Sequence, residues 1–233
     1  SNFVQEGFVE APDPVALADL AHRHGAMVID DLGSGALLPT ERFGLAHEPT
    51  PAERLAAGSD VVTFSGDKLV GGPQAGLLVG RADLIARIRR DPFVRAMRPD
   101  KTTLAALAAT LGLYRAGRAE AEIPVWQMIA QRPDDLRARA DAIAGELSGT
   151  GIGVTATLAT VGGGSLPGET LPSWSLALGD GKGLEGLLAR LRSGHPAVIG
   201  RIADGRVVLD LRTVPPQRDG DLAAAISGAL RRA

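Results

Sequence analysis

The hydrophobic and polar positions of the first 125 residues alternate between helical and extended spacing. Asp13-Pro14 predicts the start of a helix that ends at Gly25 and places Leu17, Leu20 and Ala21 on one face. The apolar run over 26–29 then predicts a buried strand. Further strands are expected over 60–64 and 75–79, with helices between and after them over 51–57, 82–90 and 100–118. This order is typical of an α/β domain.

The remaining residues predict a second and smaller domain. A helix is expected from Pro133, with Leu136, Ala140, Ile143 and Leu147 as its apolar positions. Strands are then expected over 153–160, 173–178, 198–202 and 206–211, with helices around 184–191 and from 218. This pattern predicts helices on one face of a small antiparallel sheet, an α+β arrangement. We therefore expect one domain over 1–125 and another over 126–233.

Composition limits the classes of function. The chain has 233 residues, of which 45% are hydrophobic and 22% charged, as is usual for a globular protein. It contains no cysteine, which excludes disulfides, thiolate nucleophiles and cysteine zinc sites. Its net charge of −2 gives no global attraction for nucleic acid. No apolar run is long enough for a membrane span and no signal peptide is recognised, so we expect a cytoplasmic protein that does not bind membranes.

One stretch, SGDKLVGGPQAG over 65–76, carries the strongest chemical signal. It places Lys68 directly after an apolar strand and before a glycine-rich turn. A lysine at the end of a strand is suited to Schiff-base chemistry with pyridoxal phosphate, and Gly66, Gly71 and Gly72 would let a flat ligand approach the backbone. The alternative is a surface lysine in a glycine-rich loop.

Two adjacent carboxylates, Asp30 and Asp31, follow the strand predicted over 26–29. In open α/β sheets, ligands bind at the carboxyl ends of the strands. A carboxylate placed there can keep a pyridine nitrogen protonated, which strengthens the ring as an electron acceptor. The residues alone leave open which aspartate would do this, and both could instead cap the following turn.

Arginines supply candidate anion-binding groups. Arg95 and Arg98 are three residues apart, which predicts that they share one side of a helical turn and could clamp a tetrahedral oxyanion. A solvated basic surface is the alternative. Arg201 and Arg212 are weaker candidates for contact with a substrate carboxyl or carbonyl group. Trp126, near the domain boundary, is expected to pack in the core.

Several of these motifs together resemble one protein family. They are SGDKLVGGPQAG, the preceding DLGSG over 31–35, the following RAMRPDKTTLAAL over 95–107, and the shorter matches at 165–167, 198–202 and 210–212. This set resembles the bacterial selenocysteine synthases, the L-seryl-tRNA(Sec) selenium transferases, over nearly the whole chain. The resemblance implies a fold-type I pyridoxal-phosphate transferase large domain, present in part, followed by a small α+β C-terminal domain.

The resemblance also implies roles for individual residues. Lys68 would be the catalytic lysine that carries pyridoxal 5'-phosphate as an internal aldimine, Asp31 would pair with the pyridine nitrogen, and Ser65 would meet the cofactor phosphate. Gly71 and Gly72 would offer further backbone donors to the cofactor. Arg95 and Arg98 would line the pocket for selenophosphate, the selenium donor. No metal ion is implied.

The implied reaction converts seryl-tRNA(Sec) to selenocysteinyl-tRNA(Sec), by elimination to an aminoacrylate and addition of selenium. The implied partners are seryl-tRNA(Sec), selenophosphate and further copies of the chain in a ring-like homo-oligomer. Because the sequence begins without methionine at Ser1, within the family's cofactor domain, we expect a C-terminal portion of a longer enzyme that is inactive alone. The alternatives are a pyridoxal-phosphate lyase acting on a free small amino acid and a non-catalytic assembly fragment.

Overall fold

A computed structural model describes residues 7–162, 164–179 and 181–231 of the chain. The first six residues, with which the family resemblance is expected to begin, lie outside this part. The chain divides into two units, one formed by Ser1–Gln127 with Val161–Glu169 and the other by Met128–Thr160 with Thr170–Ala233. The domain boundary expected between residues 125 and 126 stays a prediction.

The first unit contains a three-stranded sheet in the order β1-β2-β3. Its strands are β1 (Ile29–Gly33), β2 (Val61–Ser65) and β3 (Gly76–Gly80). β1 and β2 are parallel, whereas β3 is antiparallel to β2. The helices that precede and follow these strands are α1 (Pro14–Arg23), α2 (Pro51–Ala56), α3 (Ala82–Arg90), α4 (Pro92–Ala96), α5 (Lys101–Arg115) and α6 (Ala119–Glu122). The helix α7 (Pro124–Ala130) comes next in the chain.

The second unit contains a four-stranded antiparallel sheet in the order β4-β5-β7-β6. Its strands are β4 (Gly153–Thr160), β5 (Thr170–Leu178), β6 (Arg201–Ala203) and β7 (Arg206–Asp210). Its helices are α8 (Pro133–Glu146), α9 (Leu184–Arg192) and α10 (Asp219–Arg231). Leucines and isoleucines of all three helices and of β5 and β7 form one core cluster. The helix-on-sheet arrangement that the spacing predicts is confirmed.

β1 lies further along the chain than the apolar run predicts. The strand begins at Ile29 and contains both Asp30 and Asp31, which pair with Val62 and Thr63 of β2. The reason is the parallel ladder: β2 is a buried strand, and its backbone groups extend β1 through residues whose own strand propensity is low. The prediction that both aspartates follow the strand is therefore wrong.

One face of the first sheet carries most of its packed core, although Val61 at the start of β2 is also buried on the opposite face. Val62 and Phe64 of β2 are buried and pack with Leu55 of α2 and Leu111 of α5. The opposite face bears Ile29 and Leu78, which are 66% and 47% exposed. Since side chains alternate along a strand, this opposite face also carries Thr63 and Ser65, which follow Val62 and Phe64 in β2.

The turn that follows β2 is held by two aromatic side chains. The Tyr114 hydroxyl of α5 lies 3.0 Å from the carbonyl oxygens of both Leu69 and Val70, which share its single O–H donor. The Trp126 indole N–H donates in turn to the Tyr114 oxygen at 2.5 Å. Trp126 is fully buried, as the sequence predicts for a core residue, and its ring lies 5.5 Å from that of Phe43. Burial raises the pKa of Tyr114 to about 12.

A buried carboxylate joins the amino-terminal ends of β1 and β2 to the carboxyl-terminal end of β3. Asp60, 3% exposed, accepts from the Val28 N–H at 2.8 Å, from Arg81 at 3.0 Å, and contacts the His22 ring nitrogen at 3.0 Å. The Val28 N–H, then His22 and Arg81, lower the pKa of Asp60 to about 2. The junction connects α1, β1, β2 and β3, and it fixes the end of the sheet opposite to the lysine turn.

Arg212 has a structural place in the second unit. Its side chain, 4% exposed, donates to the carbonyl oxygens of Met128, Ile129, Gln131 and Pro172. Met128, Ile129 and Gln131 lie at the carboxyl end of α7, where carbonyls lack partners within the helix, and the guanidinium supplies several donors to them at once. The suggestion that Arg212 reaches a substrate is therefore wrong. Arg139 makes a bidentate pair with Asp219 at 2.9 and 2.7 Å in the same unit.

Within the part of the chain that the structure describes, no helix is both long enough and apolar enough to cross a membrane.

The Asp60 junction predicts a defined acid sensitivity. Because the folded chain holds the pKa of Asp60 at about 2, below its usual value of 3.8, ionised Asp60 contributes stability above pH 4. That contribution is lost as the pH falls from about 4 to 2. Asp60→Asn is expected to lower the free energy of unfolding at pH 6, and its deficit relative to wild type should shrink across this window in denaturant titrations. Asp19→Asn, on an exposed position of α1, is the control, and a pH-independent Asp60→Asn deficit would contradict the account.

The chain's one tyrosine gives a direct optical readout of the turn. A spectrophotometric alkaline titration of the folded 233-residue chain should show phenolate formation with a midpoint at about 12. In denaturant the midpoint should return to about 10, so stability is lost as the pH rises through this interval. Tyr114→Phe supplies the blank. A midpoint near the ordinary value in the folded chain would show that Tyr114 is not buried against the turn.

Candidate active site

The carboxyl ends of β1 and β2 meet at one edge of the first sheet because the two strands are parallel. β1 brings Asp31 to this edge, β2 brings Thr63 and Ser65, and Lys68 follows three residues after β2 ends. The register of the two strands slips by one residue between Asp31 and Gly33. The strand order thus brings the carboxylate of Asp31 and the hydroxyls of Thr63 and Ser65 to the edge from which the Lys68 turn continues.

Asp30 and Asp31 point to opposite faces of the sheet, as neighbours in a strand must. The Asp30 carboxylate lies 3.4 Å from the Arg54 Nε of α2, on the packed side. Asp31 Oδ1 accepts a hydrogen bond from the Thr63 hydroxyl at 2.8 Å, on the exposed side. Asp30 is therefore occupied in an ion pair with α2, whereas Asp31 is exposed at the edge.

Lys68 lies half-buried in the turn that follows β2. The turn is closed by backbone hydrogen bonds from Gly71 to Lys68 and from Gly72 to Gly66. The Lys68 stem runs along Gly164, where an added Cβ would lie 3.1 Å from its Cδ and Cε atoms. Gly164 therefore borders the lysine, which the sequence pattern did not indicate.

The glycines of the turn have close neighbours of their own. A Cβ on Gly71, whose φ is +72°, would lie 2.3 Å from Ile123 Cγ2. One on Gly72 would lie 3.3 Å from the Gly66 carbonyl oxygen. Packing within the protein thus accounts for glycine at position 71, whereas at position 72 a Cβ would fit tightly. Their expected contact with a cofactor, like that of half-buried Ser65, stays a prediction.

Two buried hydroxyls belong to segments that contact the lysine turn. Ser34, fully buried, has its carbonyl oxygen bonded to the Leu69 N–H, and Ser165 is 5% exposed beside Gly164. Neither hydroxyl has a hydrogen-bond partner among the described residues. A buried polar group without a partner is uncommon in folded proteins and is often satisfied by water or a ligand.

The two candidate arginines are placed differently from the prediction. Arg95 lies in the last turn of α4, which ends at Ala96, whereas Arg98 lies beyond the helix. The expectation that both share one helical turn is wrong, because the chain leaves helical geometry at Met97. Both arginines are exposed. A groove of about 670 Å³ lies beside this segment, with Ile29, Phe93 and Met97 in its lining.

Sequence reasoning did not assign a role to Thr63. In the structure it lies on the same face of β2 as Ser65, and the partner of its hydroxyl depends on the β1–β2 register, which no single strand pattern gives. No group of three histidine, aspartate or glutamate side chains with the geometry of a metal site is found among the described residues.

Comparison with known families gives a match over most of the chain. The family model described as SelA, L-seryl-tRNA selenium transferase, matches residues 1–215. The chain is 43% identical over 228 residues to L-seryl-tRNA(Sec) selenium transferase of Rhizobium meliloti, covering 94% of this chain and 49% of that protein. It is also 43% identical over 240 residues to the protein of that name from Moorella thermoacetica, covering 100% of this chain and 51% of the relative. The chain thus spans about half the length of these curated relatives.

A solved structure resembles the fold. D-glucosaminate-6-phosphate ammonia-lyase superposes with a TM-score of 0.59 at 20% identity, and the match covers 99% of this chain and 55% of that one. At this identity the likeness concerns the fold alone, and it confirms the fold-type I class expected from the sequence. Together with the family match over residues 1–215, these findings show that the chain belongs to the L-seryl-tRNA selenium transferase family.

Proposed function

We propose that the protein, at its full natural length, is a pyridoxal-phosphate enzyme that converts seryl-tRNA(Sec) to selenocysteinyl-tRNA(Sec) with selenophosphate. The observation that carries the proposal is the placement of Lys68 and Asp31 at one edge of the β1–β2 pair, in a chain of this family. The similarity to L-seryl-tRNA(Sec) selenium transferases supports the substrate.

The residues present fit pyridoxal phosphate. The cofactor presents an aldehyde, a basic ring nitrogen and a phosphate. At the sheet edge, the Lys68 amine is the group that reacts with an aldehyde, the Asp31 carboxylate suits a protonated ring nitrogen, and Ser65 offers a hydroxyl. The unpartnered hydroxyls of Ser34 and Ser165 belong to segments that contact this turn. Asp31 is favoured over Asp30, because Asp30 already pairs with Arg54 on the packed face.

Each of these side chains then has a chemical task. When bound, pyridoxal phosphate supplies an electron sink for negative charge at the Cα of the amino acid. Lys68 holds the cofactor covalently and moves the Cα proton of the substrate serine. Asp31 holds the proton on the ring nitrogen. Positive charge on Arg95 and Arg98 binds the selenophosphate anion from the exposed surface around α4.

We extend the proposal to the partners of the whole protein. Its substrate is seryl-tRNA(Sec), and since the net charge of this chain is −2, we assign the main tRNA contact to residues outside it. The protein is proposed to act in the cytoplasm as a ring-like homo-oligomer.

Covalent labelling tests the proposed attachment residue. Borohydride reduction of the full-length protein with pyridoxal phosphate is expected to leave a pyridoxyl group on Lys68. Within this chain the other lysines are Lys101 and Lys182, so peptide mapping distinguishes Lys68 from both of them. Lys68→Ala should lose the label, whereas Lys101→Arg at the start of α5 should retain it. A folded wild-type protein without a label on Lys68 would contradict the proposal.

The donor pocket is tested by separating cofactor attachment from selenium transfer. Arg95→Ala and Arg98→Ala are expected to keep the pyridoxyl label on Lys68 and to lower selenium incorporation by about tenfold or more, the usual range for losing a charged hydrogen bond. The readout is radiolabelled selenium in tRNA. Arg115→Ala, in the last turn of α5, is the matched control for loss of one positive charge. Normal incorporation in both arginine variants would remove them from the donor site.

A further inference from the structure

The carboxylate assigned to the cofactor has one partner among the described residues. Asp31 Oδ1 accepts the Thr63 hydroxyl at 2.8 Å. The two residues are direct neighbours in the parallel β1–β2 pair, so the bond runs across the sheet between adjacent strands. Because the acceptor is a carboxylate, it is a charge-assisted hydrogen bond, a class that is stronger than bonds between neutral groups.

Packing does not fix the Asp31 side chain. Asp31 is exposed, and the face on which it lies also carries exposed Leu78, the residue opposite Thr63 in β3. An exposed aspartate with no contacts would sample several rotamers. Thr63 is β-branched and therefore stiff at χ1, and it lies in a strand paired on both sides. Its hydroxyl is a rigid point that selects one orientation of the carboxylate.

The bond also divides the two carboxylate oxygens between two tasks. Oδ1 is used by Thr63, which leaves Oδ2 to meet a ligand. The register slips directly after Asp31, so the backbone beyond this residue does not continue the regular ladder that would otherwise help to hold it. The constraint on Asp31 therefore comes from β2 and from Thr63 in particular.

We propose that Thr63 is a positioning residue, whose hydroxyl holds the Asp31 carboxylate so that Oδ2 faces the ring nitrogen of pyridoxal phosphate. The inference rests on the proposed function, and it adds a residue that acts through Asp31 without touching the cofactor. Removing the hydroxyl should leave the Lys68 attachment possible and weaken the interaction at the ring nitrogen.

The test compares Thr63→Val, which keeps the shape and removes the hydroxyl, with Thr63→Ser, which keeps the hydroxyl. In the full-length protein, Thr63→Val should still take the borohydride label on Lys68. Its dissociation constant for pyridoxal phosphate should rise about tenfold, the range expected for one lost hydrogen bond to a charged group. The pH midpoint of the bound cofactor's absorbance should shift as well. Thr63→Ser should restore both values, and Thr63→Ala serves as a second hydroxyl-free variant if Thr63→Val unfolds.

A double-mutant cycle with Asp31→Asn separates positioning from a general loss of structure. If Thr63 acts through Asp31, Thr63→Val should have little further effect on cofactor affinity in the Asp31→Asn protein. An equal loss in both backgrounds, or wild-type affinity and absorbance in Thr63→Val, would overturn the inference and leave the proposed function intact. A wild-type protein that takes up no cofactor would instead overturn the proposed function and this inference together.

Discussion

The parallel pairing of β1 with β2 is the constraint on which the site depends. It is fixed at one end by the buried Asp60 carboxylate, which binds the Val28 N–H, and near the other by the hydrogen bond from the Leu69 N–H to the Ser34 carbonyl. Between these points, the register sets Asp31 beside Thr63. A change of register by one residue would exchange the two faces, turning Asp30 toward the open side and Asp31 toward α2.

The same pairing places the main core residues of the sheet on one face and the polar candidate site residues on the other. On the packed face, Val62 and Phe64 form the core with α2 and α5, and α5 also supplies Tyr114, which binds the carbonyls of the lysine turn. On the open face, polar groups of β1 and β2 remain accessible at the carboxyl edge. Tyr114 therefore stabilises the turn around Lys68 through its backbone carbonyls. The side chains proposed to contact the cofactor are not needed to keep the turn rigid.

Much of this arrangement could be predicted from the sequence. The spacing of apolar residues predicts the bounds of the second unit's helices and of β4 almost to the residue. It does so because the buried face of a long amphipathic element is visible in its own sequence. β1 was misplaced, since its extent depends on hydrogen bonds from β2. The Lys68 motif could be recognised because it is contiguous in the sequence. Other features depend on residues that are distant in the sequence: the hydrogen bond from Thr63 to Asp31, the contact of Gly164 with Lys68 and the bonds that bury Arg212. Such contacts follow from register and packing, which local patterns do not encode.

The central claim is that β1–β2 register makes Asp31, and not Asp30, the partner of the cofactor ring. The most direct measurement is a crystal structure of the full-length protein with pyridoxal phosphate bound. The account predicts Asp31 Oδ2 within about 2.6–3.2 Å of the pyridine nitrogen, with Oδ1 still bonded to Thr63 and Asp30 still paired with Arg54. A cofactor whose ring nitrogen meets Asp30, or meets no carboxylate, would contradict it.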